Sequence, residues 1–197
     1  MERFSKTLKL ADGRNILIRP LAKQDGPGLL AFFTALPDED RLFLKEDVTK
    51  KEVIDRWIEE LNFNKVLSIV AEKDSRIIGD ATLHLNVHGW QKHMAEIRCV
   101  ISKDYQKKGL GTALMRELVS HAEEKGIMKL SAYMMASQKS AQRAFERLGF
   151  KKEAELKDFV KDIRGKTHNL VVMVNDVSDL WHKMEDLILY YDIRTMP

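Results

Sequence analysis

Residues 94–126, MAEIRCVISKDYQKKGLGTALMRELVSHAEEKG, decide how this chain is read. The stretch opens with an apolar-rich run, Ala95 to Ile101, which predicts a short buried strand. A polar connector, Ser102 to Tyr105, leads to QKKGLG at Gln106–Gly111. From there Leu110, Leu114, Met115, Leu118, Val119 and Ala122 recur at helical spacing, and the helix runs to Lys125 with Gly126 as its C-cap. Strand, glycine loop and helix, in that order, form a layout that cradles a phosphate. Glycine lets the backbone approach the ligand, and the N–H groups of the first helical turn point at the anion. Lys107 and Lys108 add positive charge at the same end.

Two well-known phosphate loops are excluded. There is no GxGxxG, because the position three after Gly111 is Leu114, and there is no GxxxxGK[ST]. What remains is Q-x-x-G-x-G after a strand, together with a downstream strand–helix unit, KLSAYMMASQKSAQRAFERLGF, at Lys129 to Phe150, which ends in a Gly-Phe pair. The two motifs together resemble the signatures of the GNAT N-acetyltransferases, over roughly residues 66–160. The opening LADGRNILIRPLAKQD and the AEIRCVI strand are also similar to bacterial GNAT domains found alone or fused to acyl-CoA synthetase-like modules, some of which acetylate protein lysines.

The resemblance implies acetyl-CoA as cosubstrate. Its pyrophosphate would lie on Gln106, Lys107, Lys108, Gly109, Leu110, Gly111 and Thr112. The pantetheine arm would run along the preceding strand at Val100 and Ile101, and the family's helical Asn position is held here by Ser137 or Gln138, with Ser140 nearby. The family's usual general acid, a Tyr five residues before the Phe of the Gly-Phe pair, is replaced by Phe145. A water, Ser140 or Tyr133 could substitute, or the thiolate could leave without specific acid help. The missing Tyr also favours a second reading, a non-catalytic module that senses acyl-CoA.

Acetyl transfer to an amine needs a group to remove the amine's proton, since a lysine-type amine has a pKa near ~10.4. Glu96 is the leading candidate for the base. It is a carboxylate inside an apolar run, where burial would raise its pKa towards the working range. The plainer reading is a salt bridge to Arg98, two residues on along the same strand face. His84, His88 and His93 are alternative bases. Three His with Asp80 follow no metal-ligand spacing, so no metal site is expected. Strand alternation puts Cys99 on the face opposite Glu96, as a small buried residue rather than a nucleophile.

The 197 residues, 44% hydrophobic and 32% charged, suit one globular domain over 1–197. With 33 basic and 30 acidic residues interleaved, there is no concentrated basic face for nucleic acid. One cysteine excludes an intramolecular disulfide and fits a reducing compartment. MERFSKTLKL has no signal-type apolar core, and no run approaches the ~20 apolar residues of a membrane span. A cytoplasmic protein is expected.

The rest of the chain predicts an α/β (α+β) fold with a mostly antiparallel mixed sheet flanked by helices. Thr7–Leu10 and Ile16–Arg19 flank a turn signal; 23–36 reads as a helix buried through Leu29, Leu30, Phe32, Phe33 and Leu36. Residues 37–48 read as a charged connector. Thr49 with Glu52 fits a capping box for a second helix, through Leu61, with Val53, Trp57, Ile58 and Leu61 inward. In the family pattern these two helices wall the acceptor cleft. Val66–Glu72 and Arg76–Val87 read as paired strands followed by the loop HGWQKH. Lys129–Met135 reads as a strand, Ser137–Leu148 as a helix capped by Ser137, and Phe150–Val160 with Thr167–Val174 as a hairpin. A helix at 177–191, striped with Leu180, Trp181, Met184, Leu187, Ile188 and Tyr191, is expected either to pack across the sheet or to join two copies. The acceptor, a protein lysine or a small amine, would be set by loops 37–48 and 88–93.

Overall fold

The structure, a computed structural model, describes residues 5–180. The chain begins with an antiparallel hairpin, β1 (Lys6–Lys9) and β2 (Asn15–Pro20). A 3-10 turn at Lys23–Asp25 leads into α1 (Gly26–Thr34), a short α2 (Asp38–Arg41) and α3 (Lys51–Glu59). Strands β3 (Val66–Lys73) and β4 (Arg76–Leu85) form the next hairpin. Asp74 and Ser75 turn it with φ of 50° and 61°, the left-handed pair that a two-residue hairpin needs. Then come β5 (Met94–Ile101), α4 (Leu110–Glu124), β6 (Lys129–Met135), α5 (Lys139–Arg147) and a last hairpin of β7 (Lys151–Lys161) and β8 (Thr167–Asp176).

The eight strands form one sheet in the order β1-β2-β3-β4-β5-β6-β8-β7. Every neighbouring pair is antiparallel except β5–β6, which is parallel. A parallel pair needs a crossover, and α4 provides it. Its residues Leu110, Leu114, Met115, Leu118, Val119 and Ala122 are all buried on one sheet face, against Ile16, Ile18, Leu67, Ile69, Leu83, Ile97 and Leu130. Fully burying side chains of this kind contributes about 1.5–3 kcal/mol each, so this face holds the main core.

Among the described residues, the opposite face is covered in part. Helices α1 and α3 bury Leu29, Phe32, Phe33 and Ile54 with Val70 and Ile77 in a second, smaller core. Beside it runs a polar stripe. Cross-strand register puts Ser68 beside Thr82, Thr82 beside Arg98, and His84 beside Glu96, with Asp80 two residues before Thr82 on the same face.

Three local expectations are corrected. Residues 37–48 contain a helical turn, α2, whose Arg41 guanidinium caps the end of α1 by donating to the carbonyls of Thr34 (2.6 Å) and Leu36 (2.9 Å). The capping box at Thr49 does not form: the Thr49 hydroxyl donates to Asp47 at 2.6 Å, and α3 starts after Lys50 with Ile54 as its buried anchor. Ser137 does not cap α5, whose N-cap is Gln138. The helix expected at 177–191 is described only through 180. Val177 and Leu180 are buried in the main core, so its first turn packs back on the sheet, and the remainder lies outside the described residues. Among the described residues, no helix is long and apolar enough to cross a membrane.

Candidate active site

Strands β5 and β6 pair over only three positions, Met94 with Lys129, Ala95 with Leu130, and Glu96 with Ser131. Beyond Glu96 the two part. Ile97–Ile101 stay registered with β4, while β6 from Ser131 onward stays with β8. A wedge therefore opens towards the carboxyl ends of the parallel strands, where ligands of open α/β sheets enter. The loop at 102–109 leaves one arm of the wedge, and residues 136–138 leave the other.

The loop on the β5 arm is built to present backbone. Gly109 sits at the N-cap of α4 with φ of +90°, a left-handed conformation that glycine reaches without strain. A Cβ on Gly111 would stand 3.0 Å from the Ile101 Cδ1, so a side chain there would need Ile101 to give way. The Gln106 amide donates to the Ile101 carbonyl at 2.9 Å and ties the loop to its strand. Lys108 donates to the Asp104 carbonyl at 2.7 Å and pairs with Asp12 of the first hairpin's turn at 3.2 Å. Lys107, at φ 59°, and Thr112 are exposed. The Leu110 side chain is fully buried, so only its backbone can face a ligand. The first N–H groups of any α-helix lack an intrahelical acceptor and carry the positive end of its dipole. These residues fit a pyrophosphate.

Along the same arm, Val100 turns its side chain to the smaller core and Ile101 to the larger one, leaving their main-chain groups for the wedge. Across it, Ser137 and Ser140 are exposed. Gln138 is partly committed, since its side-chain oxygen accepts from the Met135 N–H at 2.9 Å. Phe145 stacks edge-on against Phe150, ring centres 5.0 Å apart, and offers no proton.

The polar stripe enters the wedge at Glu96. Its carboxylate accepts from Arg98 Nε (2.7 Å) and Nη2 (3.2 Å), and from Lys45 Nζ at 2.6 Å. The salt bridge to Arg98 is therefore present. Burial pushes the Glu96 pKa up, but the hydrogen bonds from Arg98 and Lys45 outweigh it and hold the carboxyl below its ordinary value. The expectation of a raised pKa is corrected: local burial is there, and two cations override it.

A cleft of about 160 Å³ adjoins this carboxylate, lined by His84, Asn86, Gln91, Met94, Glu96, Ser131 and Tyr133. Of the three candidate histidines only His84 lines it. Its Nε2 lies 3.0 Å from the Thr82 hydroxyl, and burial pulls its pKa down to about 4, so it is neutral at pH 7. His88 is exposed on the loop. The carbonyl of His93 receives the N–H groups of Met128 and Lys129. Burial pushes the Cys99 thiol up to about 12, far from a nucleophilic thiolate. Among the described residues, no group of three or more His, Cys, Asp or Glu is placed to hold a metal.

One further residue of this site escapes a sequence reading. Lys45 comes from the α2–α3 connector, 51 positions before Glu96. Asp80 lies buried on the same face, 3.4 Å from the Ser68 hydroxyl, and burial raises its pKa to about 7. The alternation of β4 signals the facing of Asp80; nothing local signals Lys45.

The fold has many solved counterparts. It matches the ribosomal-protein-S5-alanine acetyltransferase from Vibrio fischeri with a TM-score of 0.76 at 14% identity, over 90% of this chain and 98% of that one. It matches the GNAT domain of the S. lividans PAT at 0.71 and 17% identity, over 87% and 96%. It matches yncA from Salmonella typhimurium, solved with its cofactor acetyl-CoA, at 0.70 and 19% identity, over 83% and 95%. At these identities the likeness is one of fold. A sequence model of the Acetyltransferase (GNAT) family matches residues 31–150, from α1 through the Gly-Phe pair that closes α5. The chain belongs to the GNAT family of acetyltransferases, acyltransferases that use acetyl-CoA as cosubstrate.

Proposed function

We propose that this protein moves the acetyl group of acetyl-CoA to a primary amine by direct attack, with a protein lysine as first acceptor and a small amine as second. One observation carries the reading: β5 parts from β6 directly after Glu96, and the exposed edge ends in a glycine loop at a helix N-terminus. Acetyl-CoA supplies an acetyl group already activated as a thioester. The backbone of Gln106–Thr112, with Lys107 and Lys108, holds the pyrophosphate. Main-chain groups of Val100 and Ile101 hold the pantetheine arm from one side, and Ser137, Gln138 and Ser140 from the other. From Glu96 to Ser102 the strand rises roughly 20 Å at ~3.3 Å per residue, the scale of an extended arm, so the reacting end comes to lie beside Glu96.

Glu96 attracts the acceptor's ammonium and takes its proton, directly or through a water. Its lowered pKa keeps it ionised at neutral pH but makes it a weaker base than an isolated buried carboxylate. No side chain is essential for protonating the leaving thiolate, because position 145 is apolar and packed against Phe150.

That same Phe145 favours the second reading, a non-catalytic sensor of acyl-CoA. A panel of amines, including lysine peptides, with detection of free thiol separates the two. Amine-dependent thiol release supports transfer. Tight acyl-CoA binding with no amine-dependent release supports the sensor.

A further inference from the structure

The connector between α2 and α3 brings an amine of this chain to the carboxylate assigned to the acceptor. Lys45 Nζ lies 2.6 Å from Glu96 Oε1 and 5.1 Å from the centre of the Tyr133 ring. The chain on either side of it is fastened. Leu44 packs into the smaller core. Glu46 accepts from Trp57 Nε1 at 3.1 Å and pairs with Arg56. Arg41 anchors the start of the connector to the end of α1. Ile163 and Arg164, in the turn between β7 and β8, line a shallow pocket together with Asp38 of α2 and Asp47 of the connector. The Lys45 side chain is half exposed, but the segment that carries it is held at both ends, and its amine sits on Glu96 and Tyr133, two residues that line the cleft.

We infer that Lys45 is itself an acceptor: the protein acetylates Lys45 in cis from its own bound acetyl-CoA. The inference rests on the reading of Glu96 and of the open β5 edge given above. The Lys45 ammonium gives one proton to Glu96, directly or through a water, and Glu96 returns it to solvent. The nitrogen then bonds to the thioester's carbonyl carbon as the carbon–sulfur bond breaks, and its second proton passes to the departing thiolate. One acetyl group moves and one proton is released overall. The amide that results is uncharged, so it cannot keep the ion pair with Glu96. Self-acetylation thereby frees the carboxylate for the ammonium of an external substrate.

The test incubates the full chain with acetyl-CoA and no added amine, followed by intact mass and peptide mapping. A parallel sample contains a lysine peptide with thiol detection. One acetyl group per chain is expected, on Lys45, with a rate constant that does not change on dilution because the reaction is intramolecular. Glu96→Gln should slow it by about 10²-fold, and Lys45→Arg, which keeps the charge, should abolish it. If Lys45 is modified no faster than exposed lysines such as Lys9 and Lys125 while the parallel sample turns over, the inference falls and the proposed function stands. A rate that rises with protein concentration also overturns it, since transfer would then run between molecules. Bound CoA with transfer to neither Lys45 nor the peptide overturns both.

Discussion

The two ends of β5 differ in how they are made. The end at Gln106–Gly111 is assembled from consecutive residues, and what it presents is backbone: a left-handed glycine, a glycine whose Cβ would crowd Ile101, and the N-terminus of α4. The end at Glu96 is assembled from side chains that, Arg98 apart, are distant in sequence. Lys45 comes from a connector, His84 from β4, Arg98 from β5 and Tyr133 from β6. The difference teaches where each property of the protein is stored. On the proposed reading, binding of the donor is written in one local motif, while choice of acceptor depends on how remote segments converge. Substitutions at one end should therefore leave the other's readout alone.

The sharpest way to break this division is at the loop. Gly109 or Gly111 replaced by a bulky residue should abolish CoA binding while the fold survives. Losing two or three charge-assisted hydrogen bonds to phosphate, at about 1.5–3 kcal/mol each, lowers affinity by at least about 10²-fold. Calorimetry that finds undiminished affinity removes the loop from the donor site.

The polar stripe beneath the acceptor end should carry a cost in stability that the loop does not. Asp80 has a folded pKa raised to about 7 from 3.8, so the folded state holds its proton more tightly than the unfolded chain. Stability from this group is therefore greatest at low pH and falls as pH rises from about 4 through about 7. By linkage the whole loss is roughly 4 kcal/mol. Asp80→Asn should flatten that part of the stability curve, so that denaturant melts of variant and wild type diverge between pH 4 and pH 8. Parallel curves would place the Asp80 carboxyl in an ordinary environment.

The smallest effect is expected at Phe145. Phe145→Tyr should be neutral or raise kcat by a few-fold, since the hydroxyl adds a donor to a site that does not depend on one. A gain of 10²-fold would show that thiolate protonation limits the wild-type enzyme.

The same division explains what could be read in advance. β5, the loop and α4 were legible because each rests on neighbours in sequence: an apolar run, a glycine pair, a stripe at helical spacing. β6 was legible to the residue for the same reason. Local signals failed where a competitor lay close by. Thr49 would cap a helix, but Asp47 takes its hydroxyl first. At the start of α5, Gln138 and Gln142 occupy the backbone groups of Met135 and Ala136, and the helix begins two residues after Ser137. The acceptor end failed for a different reason. An apolar run around Glu96 correctly signals burial, but the sign of its pKa shift is set partly by Lys45, and no periodicity links positions 45 and 96.

Glu96→Gln, followed by turnover and CoA affinity across about pH 6 to 9, tests the central claim most directly. The account predicts unchanged CoA affinity and a kcat lowered by about 10²-fold near neutrality, the lower end of the range for a general base because Arg98 and Lys45 already depress its basicity. The deficit should shrink as pH rises towards the acceptor amine's own pKa, where the free amine no longer needs help. Full activity across that range would contradict the account: the Glu96 carboxylate would then serve only Arg98 and Lys45, and the base would have to be sought at His84, the one candidate histidine in the cleft.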